Sequence, residues 1–182
     1  MTTTNQVSGV FVKAVAFASD KHRNQRRKDA DASPYINHPI ALANILANEG
    51  GITEVAVLCA AVLHDTIEDT QTTDAELRQI FGEAITSIVL EVTDDKNLDK
   101  ATRKQKQIEH APHISREAKL VKLADKISNL RDILSSPPAD WPAERKKDYF
   151  DWASKVVDGV RGVHPELETV FDGLIARHSE FR

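Results

Sequence analysis

Cysteine is almost missing from this 182-residue chain. Cys59 stands alone, so no internal disulfide can form and a reducing compartment is expected. It sits inside the apolar run 55–62, where a small buried hydrophobe is a better description than a nucleophile. No apolar stretch approaches the ~20 residues of a membrane span. The first six residues are polar and lack the basic-then-apolar order of an export signal. The expectation is a soluble, cytoplasmic protein without membrane contact. Glycine and proline number only seven each, and strand-like alternation is scarce, which argues against a sheet protein. Aromatic residues make up 5% of the chain and the net charge is −4, so nothing global points to nucleic acid.

What the chain does have is helical periodicity. Hydrophobic content of 41% and charged content of 29% suit one globular domain with a real core. Apolar residues recur at three and four, which predicts an all-α fold of about eight to ten helices over residues 1–182. A first helix is expected over 8–22, with Val10, Ala14, Phe17 and Ala18 inward, then a polar loop to Asn37. Pro39 suits the first turn of a second helix. Thr53 is placed to cap a third helix over 54–67, and Thr73 with Glu76 forms a capping-box pattern for a short helix ending at Gly82. A charged, mostly solvated helix is expected over 100–109. The clearest amphipathic helix, 115–134, carries the stripe Leu120, Leu123, Ile127, Leu130 and Leu134.

Chemistry concentrates in Leu63-His64-Asp65-Thr66-Ile67-Glu68-Asp69. Four polar groups follow an apolar run within six residues and no basic residue lies nearby in that segment. On a helix His64 and Glu68 share a face, as do Asp65 and Asp69. Leaving such groups buried and unpartnered costs roughly several kcal/mol, and a metal ion is one way to satisfy them. His38, just before a helix, and Asp125, at the edge of the apolar stripe, are two further candidate ligands. Two histidines and two aspartates form a mixed nitrogen–oxygen set that suits Mn²⁺, with Fe²⁺, Co²⁺ and Zn²⁺ less preferred. The segment Lys21-His22-Arg23-Asn24-Gln25-Arg26-Arg27-Lys28 carries five basic residues and no acid. It reads as a phosphate clamp beside the metal, or as a solvated surface run. His22, His110, His113, His164 and His178 carry no assigned role.

Arg26-Arg27-Lys28, Tyr35-Ile36-Asn37-His38-Pro39, the segment 63–69, Glu91-Val92-Thr93-Asp94-Asp95-Lys96, Lys119 through Lys126, Asn129-Leu130-Arg131-Asp132 and Tyr149-Phe150-Asp151-Trp152-Ala153 together resemble the HD-domain hydrolases of the RelA/SpoT family. The likeness is to the stand-alone small alarmone hydrolases of the metazoan SpoT-homologue type. It implies a helical HD fold and one Mn²⁺ held by His38, His64, Asp65 and Asp125. It implies removal of the 3′-pyrophosphate from guanosine tetra- and pentaphosphate, with Glu68 and Asp69 as the catalytic pair. Arg27, Lys28, Asn129 and Tyr149 match substrate-contacting positions. Larger relatives carry a synthetase domain after the hydrolase; this chain ends at 182, so alarmone synthesis is expected to be absent. Glu68 is suited to accept a proton or hold water, and Asp69 to share that task or orient a ligand. The alternatives are an HD-type phosphohydrolase acting on another nucleotide, such as NADPH, and a non-catalytic helical binding module. A cyclic-dinucleotide phosphodiesterase is disfavoured because no Gly-Tyr-Pro signature is present. Oligomeric state is left open.

Overall fold

The structure is a computed structural model that describes residues 3–180, with side chains for 9–179. The polar segment 1–6 therefore begins outside the described residues. Among the described residues ten α-helices follow one another: α1 (Thr3–Lys21), α2 (Asn37–Asn44), α3 (Val55–Leu63), α4 (Thr66–Asp69), α5 (Asp74–Phe81), α6 (Glu83–Val92), α7 (Lys100–His110), α8 (Arg116–Ser135), α9 (Ala143–Asp158) and α10 (Pro165–Ile175). Among the described residues there is no strand, only one isolated bridge between Arg26 and Pro34. The all-α expectation holds. No helix among the described residues is long and apolar enough to cross a membrane.

The apolar run makes α3 the centre of the molecule. Val57, Cys59, Ala60, Ala61, Val62 and Leu63 are all buried. Three of these six are Ala or Cys, and small side chains let neighbouring backbones come close; α1, α2 and α6 pack directly on this helix. Burial pushes the Cys59 thiol up to about 11, which fits a packing role. The leucine stripe of α8 behaves as its spacing predicts: Leu120, Leu123, Ile127 and Leu130 are fully buried. Leu134 is only partly covered and Ile133 takes the buried position at that end. With α2, α6 and α10 laid against it, α8 joins α3 in one continuous core. Full burial of each such leucine contributes about 1.5–3 kcal/mol.

Several expected ends differ, for local reasons. α1 begins earlier than expected, and Val10 is exposed while Phe11 packs on the core. α2 runs into a single π turn, Ile45–Glu49, closed by Gly50 N–H to Ile45 C=O at 2.9 Å. Thr53 is not a cap: Glu54 holds that position, with no side-chain hydrogen bond. Thr73 does cap α5, its hydroxyl accepting from Glu76 N–H at 3.1 Å, but the Glu76 carboxylate turns away to Lys21, so only half of the capping box forms. Gly82, at φ 81°, ends α5 and starts α6; a residue with a Cβ is disfavoured in that left-handed region.

The expected helix over 54–67 is broken. It stops at Leu63, and a new short turn starts at Thr66. The break leaves C-terminal carbonyls of α3 without helical partners, and side chains supply them. His64 Nδ1–H donates to Ala61 C=O at 2.8 Å, and the Thr66 hydroxyl donates to Leu63 C=O at 2.7 Å. Asp65 takes φ −99°, ψ 0°, the sparsely populated bridge region where many active-site residues sit.

Candidate active site

The break at Leu63 sets the geometry of the site. His64 and Asp65 no longer diverge as neighbours on a helix would. Instead His64 Nε2 lies 2.9 Å from Asp65 Oδ2. His38, one residue into α2, joins them: its ring centroid is 5.3 Å from that of His64. Donor atoms of His38, His64 and Asp65 all lie within 4.8 Å of one another. Asp125, from α8, stands beside this triple, its Oδ1 3.2 Å from His38 Nε2. Its other oxygen meets the ammonium of buried Lys126 at 2.7 Å. The structure thus brings together all four residues expected to be ligands, with Asp125 shared between His38, Lys126 and the Asn129 amide, which donates to Oδ1 at 2.7 Å.

The donor set suits a cation. Because Nδ1–H of His64 is committed to the Ala61 carbonyl, Nε2 presents a lone pair to a carboxylate oxygen. Two acceptors at 2.9 Å repel unless a proton or a metal ion stands between them. Burial disfavours charge on His64, yet the Asp65 carboxylate outweighs it and carries the ring up to about 9. Burial likewise opposes ionisation of Asp65 and Asp125, but His64 beside the first and Lys126 beside the second hold both below the usual carboxylate range. His38 is pushed down, chiefly by burial, which favours the neutral imidazole a metal requires. Its Nδ1 faces the Ser128 hydroxyl at 3.2 Å, and the Tyr35 hydroxyl donates to Asp65. Outer partners of this kind orient ligating side chains.

Glu68 and Asp69 lie one turn further on, in α4. The absence of basic residues from their own segment is misleading, because both are paired from the segment 93–110. Glu68 accepts from the Asp94 backbone N–H at 3.2 Å and meets Arg103 at 3.4 Å. Asp69 pairs with Lys96 and accepts from the Gln25 side-chain amide at 2.8 Å. Burial, and then the charges of Asp65 and Asp94, push Glu68 up to about 7. α7 has no buried residue, as its charge predicts. Yet Arg103, and Gln107 donating to Asp94, reach from it into the site.

Two adjoining spaces result. A small one of about 180 Å³ is lined by His64, Asp65, Glu68, Lys122, Asp125 and Lys126, among others. A larger one of about 680 Å³ is lined by Lys28, Asp69, Trp141 and Tyr149, among others. Arg27, Tyr35, His38 and Asn129 border both. Arg27 is held in place by Asp132 and by Asn129, whose carbonyl accepts at 3.2 Å. Lys28 is exposed at the rim. Burial pushes the Tyr149 phenol up to about 12, and its ring lies 5.8 Å from that of Trp141.

Sequence reasoning missed several residues here. Tyr35, Gln25, Lys96, Arg103 and Ser128 all touch expected site residues. His22 is 2% exposed, and a signal for it was present: it continues the inward Ala14, Ala18 spacing of α1 by four. His164 has a structural task, capping α10 and bonding Gly50 C=O at 2.8 Å.

Comparison with known proteins shows what the chain is similar to. The HD domain family matches residues 14–150. Guanosine-3′,5′-bis(diphosphate) 3′-pyrophosphohydrolase MESH1 of Danio rerio is 55% identical over 161 residues, covering 88% of this chain and 89% of that protein. The protein of the same name from Xenopus tropicalis is 54% identical over 167 residues, covering 92% and 93%. A solved structure of a metazoan ortholog of SpoT, described as hydrolysing ppGpp and playing a role in starvation responses, superposes with a TM-score of 0.90 at 46% identity, covering 92% of this chain and 94% of that one.

Proposed function

The chain belongs to the HD domain family, and on that premise we propose that it hydrolyses the 3′-pyrophosphate of guanosine tetra- and pentaphosphate, giving GDP or GTP and pyrophosphate. The relatives named above support this substrate. The observation that carries it is the paired space: a phosphate-sized pocket holding the His/Asp cluster adjoins a nucleoside-sized cavity lined by Tyr35, Trp141 and Tyr149, and Arg27 borders both.

His38, His64, Asp65 and Asp125 would hold one divalent cation, Mn²⁺ on this oxygen-bearing set, and when bound it supplies Lewis acidity toward water and a phosphoryl oxygen. The remaining work falls to side chains. Glu68, pushed up to about 7, is matched to taking a proton from water near neutral pH. Asp69 orients that water. Arg27 and Lys28 offset the charge on the transferred phosphoryl group, Arg27 from a fixed position. Tyr149 offers a face for the base and Asn129 an amide within its reach. The setting is the cytoplasm, consistent with a lone buried thiol.

The test is a substrate panel with and without Mn²⁺. Release of pyrophosphate and GDP from guanosine 3′,5′-bis(diphosphate), dependent on the metal, is expected. Release of orthophosphate from NADPH or another nucleotide, with the bis(diphosphate) untouched, would replace this reading with that of a different phosphohydrolase. Failure to bind metal and to cleave anything would leave a binding module.

A further inference from the structure

Asp69 is oriented by a two-residue relay from the α1–α2 loop. The Gln25 side chain donates from Nε2 to Asp69 Oδ2 at 2.8 Å. Its amide oxygen lies 2.6 Å from His22 Nδ1. The carboxylate is an acceptor, so it fixes the Gln25 –NH₂ toward itself and the amide oxygen toward His22. His22 must then carry its proton on Nδ1. The ring is locked: it is 2% exposed, it rests on Tyr35 with centroids 4.9 Å apart, and among the described residues its buried Nε2 has no hydrogen-bond partner. Flipping the Gln25 amide would face N–H against N–H on one side and oxygen against carboxylate on the other. One amide orientation survives, and with it one position for Asp69.

Loop closure does not need these side chains. The backbone already bonds Gln25 N–H to His22 C=O at 2.9 Å, Tyr35 N–H to Gln25 C=O at 3.1 Å and Arg27 N–H to Ser33 C=O at 2.9 Å. The other partner of Asp69, Lys96, has a side chain 49% exposed, and an exposed lysine orients a carboxylate poorly. We propose that Gln25 and His22 are positioning residues for Asp69, His22 acting through Gln25 to hold the carboxylate without neutralising it. The proposal rests on Asp69 belonging to the catalytic pair.

Steady-state kinetics of four single variants and one double variant, with metal content measured on each, test it. Gln25→Met, similar in length but without a donor, should lower kcat by roughly 10-fold or more, as lost orienting contacts do, with KM and metal content unchanged. His22→Phe should lose a comparable amount. His22→Asn, which keeps an N–H near the place of Nδ1, should recover most of it. The double variant Gln25→Met/His22→Phe should be no slower than Gln25→Met alone, because both act through one carboxylate. Nitrogen NMR of the wild type should show the neutral His22 ring as the Nδ1–H tautomer, and that tautomer preference should weaken in Gln25→Met. Wild-type kcat in Gln25→Met beside a slow Asp69→Asn would overturn the relay and leave the role of Asp69 standing. A raised KM at constant kcat would move Gln25 to substrate binding and also overturn it. Wild-type turnover in Asp69→Asn would overturn both the relay and the reading beneath it.

Discussion

At the scale of single residues, the site separates carboxylates by surroundings. Asp65 and Asp125 are held ionised by His64 and Lys126, whereas Glu68 is pushed up to about 7 by burial and by Asp65. Substitution should therefore sort them. Asp125→Asn is expected to lower metal content and turnover together, measured by metal analysis of the purified variant. Glu68→Gln is expected to keep the metal and slow turnover by roughly 10²–10⁴. A base with a pKa of about 7 works only when ionised, so the wild-type rate should fall as pH drops below about 7, and Glu68→Gln should lack that limb. The same shift has a stability sign. A carboxyl raised in the folded state contributes stability below its ordinary value of 4.5 and loses it as pH rises through about 7. In chelator at pH 8, Glu68→Gln should melt above wild type by roughly 2–4 °C for each kcal/mol relieved; at pH 4.5 the two should coincide. A lower melting point at pH 8 would contradict the assigned cause.

At the scale of elements, caps and breaks carry the information. Thr73→Ala removes the hydroxyl that accepts from Glu76 N–H and should destabilise the protein by about 1 kcal/mol, read as a lower urea midpoint at constant slope. An unchanged midpoint would mean the Lys21–Glu76 pair alone holds the start of α5. Short-range signals of this kind were legible in the sequence: the Thr73 cap, the Gly82 stop, and the leucine stripe of α8. The break between α3 and α4 was not. The residues around it have ordinary helical propensity, and the helix ends because the His64 ring and the Thr66 hydroxyl take the carbonyls of Ala61 and Leu63. Propensity holds no record of a side chain competing for its own backbone. The expected ligands His38, His64, Asp65 and Asp125 were found as residue types, but their meeting at one point comes from α2 and α8 packing around α3. Arg103 and Lys96 were invisible for the same reason. They partner Glu68 and Asp69 from 35 and 27 residues away, where no local charge count reaches.

At the scale of the whole molecule, a net charge of −4 coexists with two adjoining spaces, the larger edged by Arg27 and Lys28 and the smaller lined by Arg27, Lys122 and Lys126. Attraction of a polyanion is then a local field, screened over about 8–10 Å at physiological salt. KM for the bis(diphosphate) should rise as salt increases from about 0.05 to 0.5 M while kcat stays level; a salt-independent KM would place the phosphates away from these cations. The guanidinium of Arg27 adds a consequence of another kind. It already bonds Asp132 and Asn129 through Nη2, and a guanidinium has five donors, so Nη1 and Nε remain for an arriving phosphate while the carboxylate keeps its grip. Asp132 is a mooring: the long side chain is tied up before the substrate comes, and little of its rotamer freedom is left to lose on capture. The attraction stays electrostatic, and what tells one phosphate ester from another is fit within the two adjoining spaces.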